Sequence, residues 1–515
     1  MTIVQKAGTA VDLDRYSLRR FLGEIEALGE LETHDAPIDL ADLAKHFEGS
    51  PKAVYFRKAG PEGAEVIGNV TASRARIARA FNTTPEKLLH EILRRLDNRP
   101  QMVEVTAKEA PVQQVVLTGD EADLTKLPAN LQHGFDGAPY ISAGIDIVRD
   151  PATGLTNVGM RRLMLRGRRE AGVDLLSPSD LKAIYEASAR RGEKLPIAFV
   201  LGAHPVDHVS AVMRLPIDEV GIMASLRDGP MPVVKCVTND LMVPADAEMI
   251  LEGYIDERGH VEPEGPYGEF LGYYGELKMN PVFHLTAITK RADALFQTST
   301  IGGRQMSCTD TSQLNATRAD VTLWRSLQTA IREPIDINLL NAYGVGLHVR
   351  VALRQRVPGE ARNAISAVFG SVSNAKHVWV VDPDIDIRSD GQVDWAMATR
   401  FQADRDLVVQ SGFRAIPLDP SLNGAKVGSK AGFDCTLPFA QAMAGAPLIP
   451  EPPRYAGKKF ASVADAIADG PKFFEDLMAA TGSRDGREIV LVLEDMRKAG
   501  KVGRDKEGRW VTPKA

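Results

Sequence analysis

The sequence predicts an α+β protein of several domains: an N-terminal α/β domain, a β-rich middle domain, a C-terminal α/β domain and a small winged-helix-like tail. At 515 residues the chain is too long for one compact hydrophobic core. Helix-like and strand-like apolar patterns alternate towards both ends, whereas short strand-like runs divided by Gly and Pro dominate the middle. A Pro-rich stretch at 444–455 marks a boundary before the tail.

The N-terminal α/β domain is placed at residues 1–112. In SLRRFLGEIEAL the apolar residues recur at helical spacing, and AVYFRK and AEVIGNV indicate short strands. Thr84-Pro85-Glu86 begins another helix, because Pro is favoured at the first helical position.

The middle domain is placed at residues 113–315. It holds six β-rich runs, QQVVLT, AGIDIVRD, RRLMLRG, IAFVLG, PVVKCVTND and FHLTAITK. Short strands punctuated by loops are typical of a barrel or a sandwich. One helical stretch, SPSDLKAIYEASARRG, interrupts them, and Ser177 or Ser179 is expected to cap it.

The C-terminal α/β domain, with its linker helix, is placed at 316–455 and the tail at 456–515. ATRADVTLWRSLQTAI and VDWAMATRF indicate helices, and LHVRVAL and HVWVVDPDID indicate strands. The tail offers a helix, a second helix and a hairpin, the order of a winged helix. From Pro471 onward the tail contains ten Lys and Arg and eight Asp and Glu. This near balance of charge favours an appendage for packing or oligomerisation over a DNA-binding module.

Composition excludes several classes of protein. The chain has 62 Lys and Arg and 68 Asp and Glu, a net charge of -6. This balance lacks the excess of positive charge that is typical of proteins that bind nucleic acid or an anionic membrane. Cys236, Cys308 and Cys435 are isolated, so neither a thiolate zinc site nor a disulfide framework is expected. The sequence shows no secretory signal and no apolar run near the ~20 residues of a membrane span. These features predict a soluble cytoplasmic protein.

The stretch EPEGPYGEFLGYYG, residues 262–275, is the most informative. Glu264 and Glu269 lie five apart in a loop rich in Gly and Pro, a setting that can fold two carboxylates into one pocket. One carboxylate can then hold a cation while the other exchanges a proton. The alternative is a solvated turn with two surface carboxylates.

The stretch TNVGMRRLML, residues 156–165, carries adjacent arginines on an apolar strand. Strand alternation sends Arg161 and Arg162 to opposite faces, so one can enter a pocket and fork onto a carboxylate. The alternative is a surface strand with one structural salt bridge.

Three further positions complete the candidate set. Glu219 in LPIDEVG is read as preceding a strand, and the small residues around Lys430 in GSKAGFDCT suit close approach to a phosphate. His204 and His208 are read as loop residues, because Pro205 between them argues against one helical face.

Taken together and in this order, these stretches resemble the UbiD-like decarboxylases. The family pattern is Asn-(x)4-Arg, then a metal-binding Glu about 60 residues later, then Glu-Gly-Pro-aromatic-Gly-Glu. The matching positions here are Asn157 and Arg162, Glu219, and Glu264-Gly265-Pro266-Tyr267-Gly268-Glu269. Residues 233–255 are also similar to the family segment that leads into the Glu loop. The resemblance covers residues 1 to about 450 and leaves out the tail.

The resemblance implies a split β-barrel at 113–315 that binds prenylated FMN, which a separate flavin prenyltransferase supplies. It implies Mn²⁺ or Mg²⁺, with K⁺ nearby. The implied cofactor-binding residues are Asn157, Gly159, Met160, Arg162, Met213, Glu219 and Lys430. The implied metal ligands are Asn157, Glu219 and, where relatives place a His, Asp180. Asp180 can equally be the acidic residue of a helix's first turn.

The resemblance also implies that Arg162, Glu264 and Glu269 are catalytic. Arg162 would neutralise the substrate carboxylate, Glu264 would orient Arg162, and Glu269 would deliver the proton that replaces CO₂. The loop at 302–316 would line the substrate pocket with Arg304, Gln305, Thr309, Thr311 and Gln313.

The expected activity is reversible decarboxylation of an aromatic, heteroaromatic or α,β-unsaturated acid by a homo-oligomer, a dimer or a hexamer. A glycosidase would explain the two glutamates but not Arg162, Asn157 or Glu219. A non-catalytic regulatory protein with a DNA-binding tail is the alternative from a different class.

Overall fold

The computed structural model describes residues 3–6, 11–215, 217–340, 346–372, 374–445 and 447–513. It forms two compact units, Met1–Phe439 and Ala440–Ala515. Among the described residues, no helix combines the length and apolar character needed to cross a membrane.

The N-terminal region of the first unit alternates helices and strands, as predicted. Its elements are β1 (Ile3–Lys6), α1 (Leu18–Ala27), β2 (Leu31–His34), α2 (Leu43–Phe47), β3 (Ala53–Ala59), β4 (Ala64–Gly68), α3 (Arg74–Ala80), α4 (Leu88–Leu96) and β5 (Gln101–Glu104). Helix α1 begins at a Ser17 cap, whose hydroxyl accepts the Arg20 N–H, and it buries Leu18, Phe21 and Ile25 on one face.

The middle region is mostly strands. Its elements are β6 (Val115–Thr118), β7 (Tyr140–Arg149), β8 (Thr156–Leu165), β9 (Glu170–Val173), α5 (Asp180–Arg190), β10 (Leu195–Leu201), α6 (Pro205–Val212), α7 (Glu219–Leu226), β11 (Met231–Lys235), β12 (Met242–Pro244), β13 (Met249–Ile255), β14 (Glu262–Glu264), β15 (Tyr267–Gly268), β16 (Tyr274–Gly275), β17 (Lys278–Asn280), β18 (Val282–Lys290) and β19 (Leu295–Gln297).

Six of these strands form a closed barrel in the order β13-β10-β7-β8-β9-β18, with β18 pairing back onto β13. The ring closes because β18 pairs with β9 through its first residues and with β13 along most of its length, while its last four residues also pair with β6 outside the ring. The predicted barrel is therefore confirmed, and it is a closed one. Leu163, Phe199 and Leu251 belong to one buried cluster, while Ile145, Ile147 and Val158 belong to another that includes α7 residues.

Strands from the middle region also complete sheets that begin in the N-terminal region. β19 joins β4, β3 and β2 in one four-stranded sheet, and β11 and β12 join β1 and β5 in another. Both sheets combine strands from before and after residue 112, the predicted boundary. The predicted domain ranges therefore remain predictions.

Two local predictions in this region are wrong. Glu219 does not precede a strand but begins helix α7. All eight residues of α7 are buried, so its sequence lacks the alternation of apolar and polar faces from which a helix can be predicted. His204 and His208 are not loop residues: His204 N-caps α6, Pro205 occupies the first helical position and His208 lies inside the helix. Pro therefore begins this helix, although the sequence analysis took it to break one.

The C-terminal region packs helices on a mixed sheet of order β20-β21-β22-β24-β23. Its elements are α8 (Asp310–Ala330), β20 (Pro334–Leu340), β21 (His348–Leu353), α9 (Glu360–Ser371), β22 (His377–Val381), α10 (Asp390–Arg400), α11 (Ala403–Asp406), β23 (Leu407–Arg414), β24 (Val427–Asp434) and α12 (Phe439–Ala444). This arrangement agrees with the predicted α/β character.

The second unit has its own small core, in which Ala466, Leu477 and Leu493 are buried. Its remaining elements are α13 (Val463–Ala468), α14 (Phe474–Thr481), α15 (Arg487–Lys498), β25 (Gly503–Arg504) and β26 (Trp510–Val511). The predicted helices and hairpin are present, together with the additional helix α13. The winged-helix assignment itself stays a prediction.

Candidate active site

The loop between β14 and β15 brings the two predicted glutamates into the protein interior. Glu264 ends β14 fully buried, and Glu269 follows β15 with 5% of its surface exposed. Gly265 allows this turn because its φ of +99° lies in the left-handed region that favours glycine. The solvated-turn alternative is therefore excluded.

Arg162 on β8 connects both glutamates. Its Nε and Nη2 lie 2.9 and 3.2 Å from the two carboxylate oxygens of Glu264, a forked pair, and its Nη1 lies 3.0 Å from Glu269 Oε1. The guanidinium also lies over the ring of Tyr267, 4.3 Å from its centroid. Arg161 points elsewhere, towards Asp146 and Ser179, as strand alternation predicts.

Two charged residues that the sequence analysis missed complete this cluster. Asp174 Oδ2 lies 3.0 Å from Arg162 Nη2. Lys278 Nζ lies 3.1 Å from Glu269 Oε1 and 3.3 Å from Asp174 Oδ2. Asp174 follows β9 and Lys278 begins β17, and neither position carries a recognisable pattern in the sequence.

The charges in this cluster support one another. Burial lowers the pKa of Arg162, but the carboxylates of Glu269 and Glu264 outweigh burial and hold that pKa well above its ordinary value. Burial likewise works against Asp174 and Lys278, yet their charged partners lower the pKa of Asp174 and raise the pKa of Lys278. Arg162, Asp174 and Lys278 are therefore charged at neutral pH.

Glu264 and Glu269 differ in how firmly they are held. Besides the Arg162 fork, Glu264 accepts hydrogen bonds from the Tyr140 hydroxyl at 3.0 Å and from Asn280 Nδ2 at 3.3 Å. Glu269 accepts the Arg162 and Lys278 bonds through Oε1, and its Oε2 takes part in neither. Glu264 is thus saturated, whereas Glu269 keeps an oxygen outside these ion pairs.

A second polar cluster surrounds the start of α7. Glu219 Oε2 accepts the Asn157 side-chain amide at 2.6 Å and the Val158 N–H at 2.7 Å. Burial, together with the charges of Asp180 and Asp146, outweighs these hydrogen bonds and raises the pKa of Glu219 to about 7. Asn157 and Arg162 stand on the same strand, roughly 17 Å apart along it.

The surroundings of Asp146 indicate whether this cluster could bind a cation. It is fully buried opposite Gly159, and both of its carboxylate oxygens lack a hydrogen-bond partner among the described residues. Burial raises the pKa of Asp146, and Arg161 Nε at 3.9 Å offsets part of its charge. An excess of carboxylates beside an amide oxygen fits a hard divalent cation such as Mg²⁺ or Mn²⁺.

The structure confirms one of the two roles that the sequence left open for Asp180, the acidic residue in the first turn of a helix. It is the first residue of α5, where Ser179 is the N-cap and its Oγ accepts the Lys182 N–H, so its negative charge lies at a helix N-terminus. Asp180 also lies close enough to Glu219 for its negative charge to raise the pKa of the Glu219 carboxyl. Its role as a metal ligand stays a prediction.

The other implied cofactor residues lie in three different surroundings. A Cβ on Gly159 would lie 2.9 Å from Asp146 Oδ1, so Asp146 itself requires glycine there. Met160 and Met213 pack against buried clusters beside α6. Lys430 lies on β24, where its Nζ donates to the Phe369 and Val372 carbonyls at the end of α9, and burial lowers its pKa to about 8.

A cleft of ≈ 440 Å³, a volume that includes the open solvent at its mouth, lies behind the glutamate loop. Gln132 accepts the Tyr267 hydroxyl at 3.0 Å, His133 packs against Gly268, and a Cβ on Gly302 would lie 3.1 Å from the Glu269 carbonyl oxygen. Residues from the 302–316 loop line it, including Gln305 and Thr309, but not Arg304, Thr311 or Gln313. Its neutral polar side chains are Asn130, Gln132, Thr298, Thr300, Gln305 and Thr309.

Family models cover most of the chain. Residues 22–96 match the N-terminal domain of 3-octaprenyl-4-hydroxybenzoate carboxy-lyase, UbiD. Residues 103–305 match its Rift-related domain, and residues 312–435 match its C-terminal domain.

Individual relatives agree with these matches. The chain is 32% identical over 429 residues to anhydromevalonate phosphate decarboxylase of Methanosarcina mazei, covering 81% of this chain and 95% of that protein. The UbiD-class enzyme HmfF from Pelotomaculum thermopropionicum, solved with FMN, is 31% identical with a TM-score of 0.79, over 84% of this chain and 97% of that one. An evolved dimeric form of that enzyme, solved with prenylated FMN, is 30% identical with a TM-score of 0.75, over 85% of this chain and 97% of that one.

Proposed function

The chain belongs to the UbiD family of carboxy-lyases, and we propose that it catalyses reversible, non-oxidative decarboxylation of an aromatic, heteroaromatic or α,β-unsaturated carboxylic acid. The observation that carries this proposal is Arg162 held between Glu264 and Glu269 in a buried pocket. A glycosidase would need two carboxylates facing a sugar, whereas here one guanidinium binds both. The comparisons do not favour the regulatory alternative.

Prenylated FMN is the cofactor that relatives support, and the second cluster is the place to hold its metal. Asn157, Glu219 and Asp180 would bind Mn²⁺ or Mg²⁺, because their oxygen donors suit hard cations. We propose K⁺ as the accompanying ion and a flavin prenyltransferase as the supplier. When bound, the prenylated flavin supplies an electron sink for the pair left by departing CO₂, which no amino-acid side chain provides.

The residues of the first cluster can carry out the remaining steps. A substrate carboxylate binds Arg162 by displacing Glu269 from Nη1, while the Glu264 fork keeps the guanidinium in place. Release from Arg162 lets Glu269 take up a solvent proton. The carbon–carboxylate bond breaks, CO₂ leaves, and Glu269 gives its proton to the carbon that carried CO₂. Lys278 then holds the ionised Glu269 near the reacting carbon.

The cleft behind the loop favours substrates with neutral polar substituents. No Lys or Arg lines it among the described residues, and Glu48 adds a negative charge. The nearby N-terminus of α8 is capped by Thr309 and already carries the carboxylate of Asp310 in its first turn, which accepts the Thr71 and Thr300 N–H groups at 2.7 and 2.9 Å. We therefore propose a hydroxyl-bearing acid, although the Methanosarcina relative is named for a phosphorylated one.

The test is a screen of the flavin-loaded enzyme, co-expressed with a flavin prenyltransferase, against three acids: 3,4-dihydroxybenzoic acid, terephthalic acid and 4-carboxyphenyl phosphate. We expect CO₂ release to be fastest with the dihydroxy acid. Glu48→Gln should lower KM for the two acids that carry a second anionic group, and Glu62→Gln, an exposed residue outside the cleft, is the matched control. Turnover of the phosphate ester alone would contradict the proposed substrate class but not decarboxylation. No turnover of any carboxylic acid in a wider screen would contradict decarboxylation itself.

Two further features belong to the proposal. We propose a homo-oligomer, a dimer or a hexamer, since one structural relative is a dimeric form. We also propose a winged-helix-like fold for the tail, supported by its three helices and hairpin.

A further inference from the structure

We propose that Glu32, His34 and His46 form a transition-metal site, suited to Zn²⁺, separate from both clusters described above. Each of the three side chains offers one ligand atom, and these atoms all lie within 4.8 Å of one another. The donors around a tetrahedral Zn²⁺ lie about 3.4 Å apart, as bond lengths near 2.0–2.1 Å require. Small side-chain rotations therefore suffice to bring all three onto one ion.

Local structure explains why these residues meet. Glu32 and His34 stand two apart on β2, so strand alternation puts them on the same face. The face of β2 that carries them meets α2, because the rings of His34 and His46 lie 4.9 Å apart. His46 lies in α2, the next α-helix along the chain, and brings the third donor from a different element.

Phe56 on β3 holds the two imidazoles in position. Its ring stacks on His34 with centroids 4.8 Å apart, and it meets His46 edge-on at 5.4 Å. His34 Nε2 also lies 2.8 Å from Glu32 Oε1, so the two donors from β2 already face each other. A metal would replace this hydrogen bond with a shared ion, and little side-chain freedom would be lost.

The donor set has the chemistry of an open zinc site. Two imidazoles and one carboxylate are ligands that Zn²⁺ takes in proteins, with water in the fourth position. The His34 and Glu32 side chains are 29% and 48% exposed, so an ion can enter without rearrangement of the core. The alternative is a surface His–Glu hydrogen bond packed on an aromatic ring, which binds no metal.

A metal here would tie α2 to β2. Phe47 and Glu48, which follow His46 directly, line the cleft behind the glutamate loop. We infer that the ion stabilises this wall of the cleft. The inference concerns the N-terminal sheet alone and does not depend on the proposed decarboxylase activity.

The experiment is titration of full-length, chelator-treated protein with Zn²⁺ by calorimetry, and with Co²⁺ by visible absorption. We expect one equivalent of Zn²⁺ to bind in Glu219→Gln, in which a ligand of the other candidate metal site is removed, and wild type to bind it at this site with the same affinity. His46→Gln and Glu32→Gln should weaken this binding by more than ~100-fold, since even outer-shell changes cost about 10–100-fold. His90→Gln, which changes an exposed histidine on α4, is the matched control and should bind as wild type does.

Thermal unfolding separates loss of a ligand from loss of structure. In the Glu219→Gln background, Zn²⁺ should raise the Tm of the protein that keeps His46 and leave the Tm of the His46→Gln double variant unchanged. Equal Zn²⁺ affinity in wild type and in both His46→Gln and Glu32→Gln would overturn the proposal. Loss of the equivalent in Glu219→Gln but not in His46→Gln would overturn it as well.

Discussion

Two chemically identical carboxyl groups are given different surroundings at this site. Glu264 accepts the Arg162 fork, the Tyr140 hydroxyl and the Asn280 amide, so its four bonds fix it in place. Glu269 has ion-pair partners on one oxygen. On this difference we base the proposal that Glu264 orients Arg162 and Glu269 delivers the proton.

The first prediction concerns Glu269. Glu269→Gln keeps the shape of the side chain but removes the acid, so flavin and metal content should stay normal. Turnover should fall by at least ~10²-fold, the lower end of what general acid–base catalysis supplies. The variant should also lose exchange of the product's proton with solvent deuterium at the carbon that carried CO₂. Turnover and exchange near those of wild type would show that the proton comes from another group.

The second prediction concerns Asp174 and pH. Arg162 and Lys278 lower the pKa of Asp174 in the folded protein. The ionised carboxylate therefore stabilises the fold fully at pH values above 3.8, which is the ordinary pKa of the group. That contribution disappears as pH falls through the lowered value. Asp174→Asn should therefore have a lower Tm than wild type at pH 7, and the difference should shrink towards pH 3. A constant difference in Tm across this range would contradict the ion-pair assignment.

At the scale of elements, β8 organises the site. Its alternation sends Arg161 and Arg162 to opposite faces, and it carries Asn157 and Arg162 towards the two clusters. α7 and α5 begin beside the Asn157 end of β8, and each begins with a carboxylate, Glu219 and Asp180. The candidate metal ligands therefore come from one strand end and two helix starts.

The third prediction concerns these ligands. Glu219→Gln replaces a charged ligand by a neutral amide and should weaken retention of metal and flavin together. Asn157→Ala should do the same, and both contents would be measured on purified protein. Unchanged stoichiometry in both variants would remove Asn157 and Glu219 from the site.

The fourth prediction separates the two roles of Asp180. If it ligates the metal, as we propose, Asp180→Ala should lose flavin much as Glu219→Gln does. If it acts only at the start of α5, cofactor content should stay intact while stability falls by roughly 0.5–1 kcal/mol. Denaturant unfolding and flavin absorbance on the same preparation distinguish these outcomes.

At the scale of the whole molecule, every residue of both clusters lies in the unit Met1–Phe439. The fifth prediction follows: deletion of residues 457–515 should leave flavin and metal content unchanged, because the unit 440–515 has its own buried core. Oligomeric state, measured by light scattering, is free to change. Complete loss of flavin from a soluble truncated protein would contradict this prediction.

The sequence by itself determined the features that depend on local spacing. Gly and Pro around Glu264 and Glu269 predicted the loop, alternation predicted that only one of Arg161 and Arg162 enters the pocket, and Ser179 was among the expected helix caps. Short range is the reason, because turns, alternation and caps depend on neighbours a few residues apart. Where such a signal was ambiguous, as in the fully buried α7, the sequence reading failed.

Only the tertiary structure decided which distant residues meet. Arg162 and Glu264 are 102 residues apart, and Asp174 and Lys278 reach the same cluster from the end of β9 and the start of β17. The buried carboxylate of Asp146, which has no hydrogen-bond partner among the described residues, likewise appears only once β7 and β8 are paired in register. Strand order and register determine these contacts, and both result from burial of many side chains at once. No single stretch of the sequence specifies them, so the charged partners of a predicted motif became visible only in the folded chain.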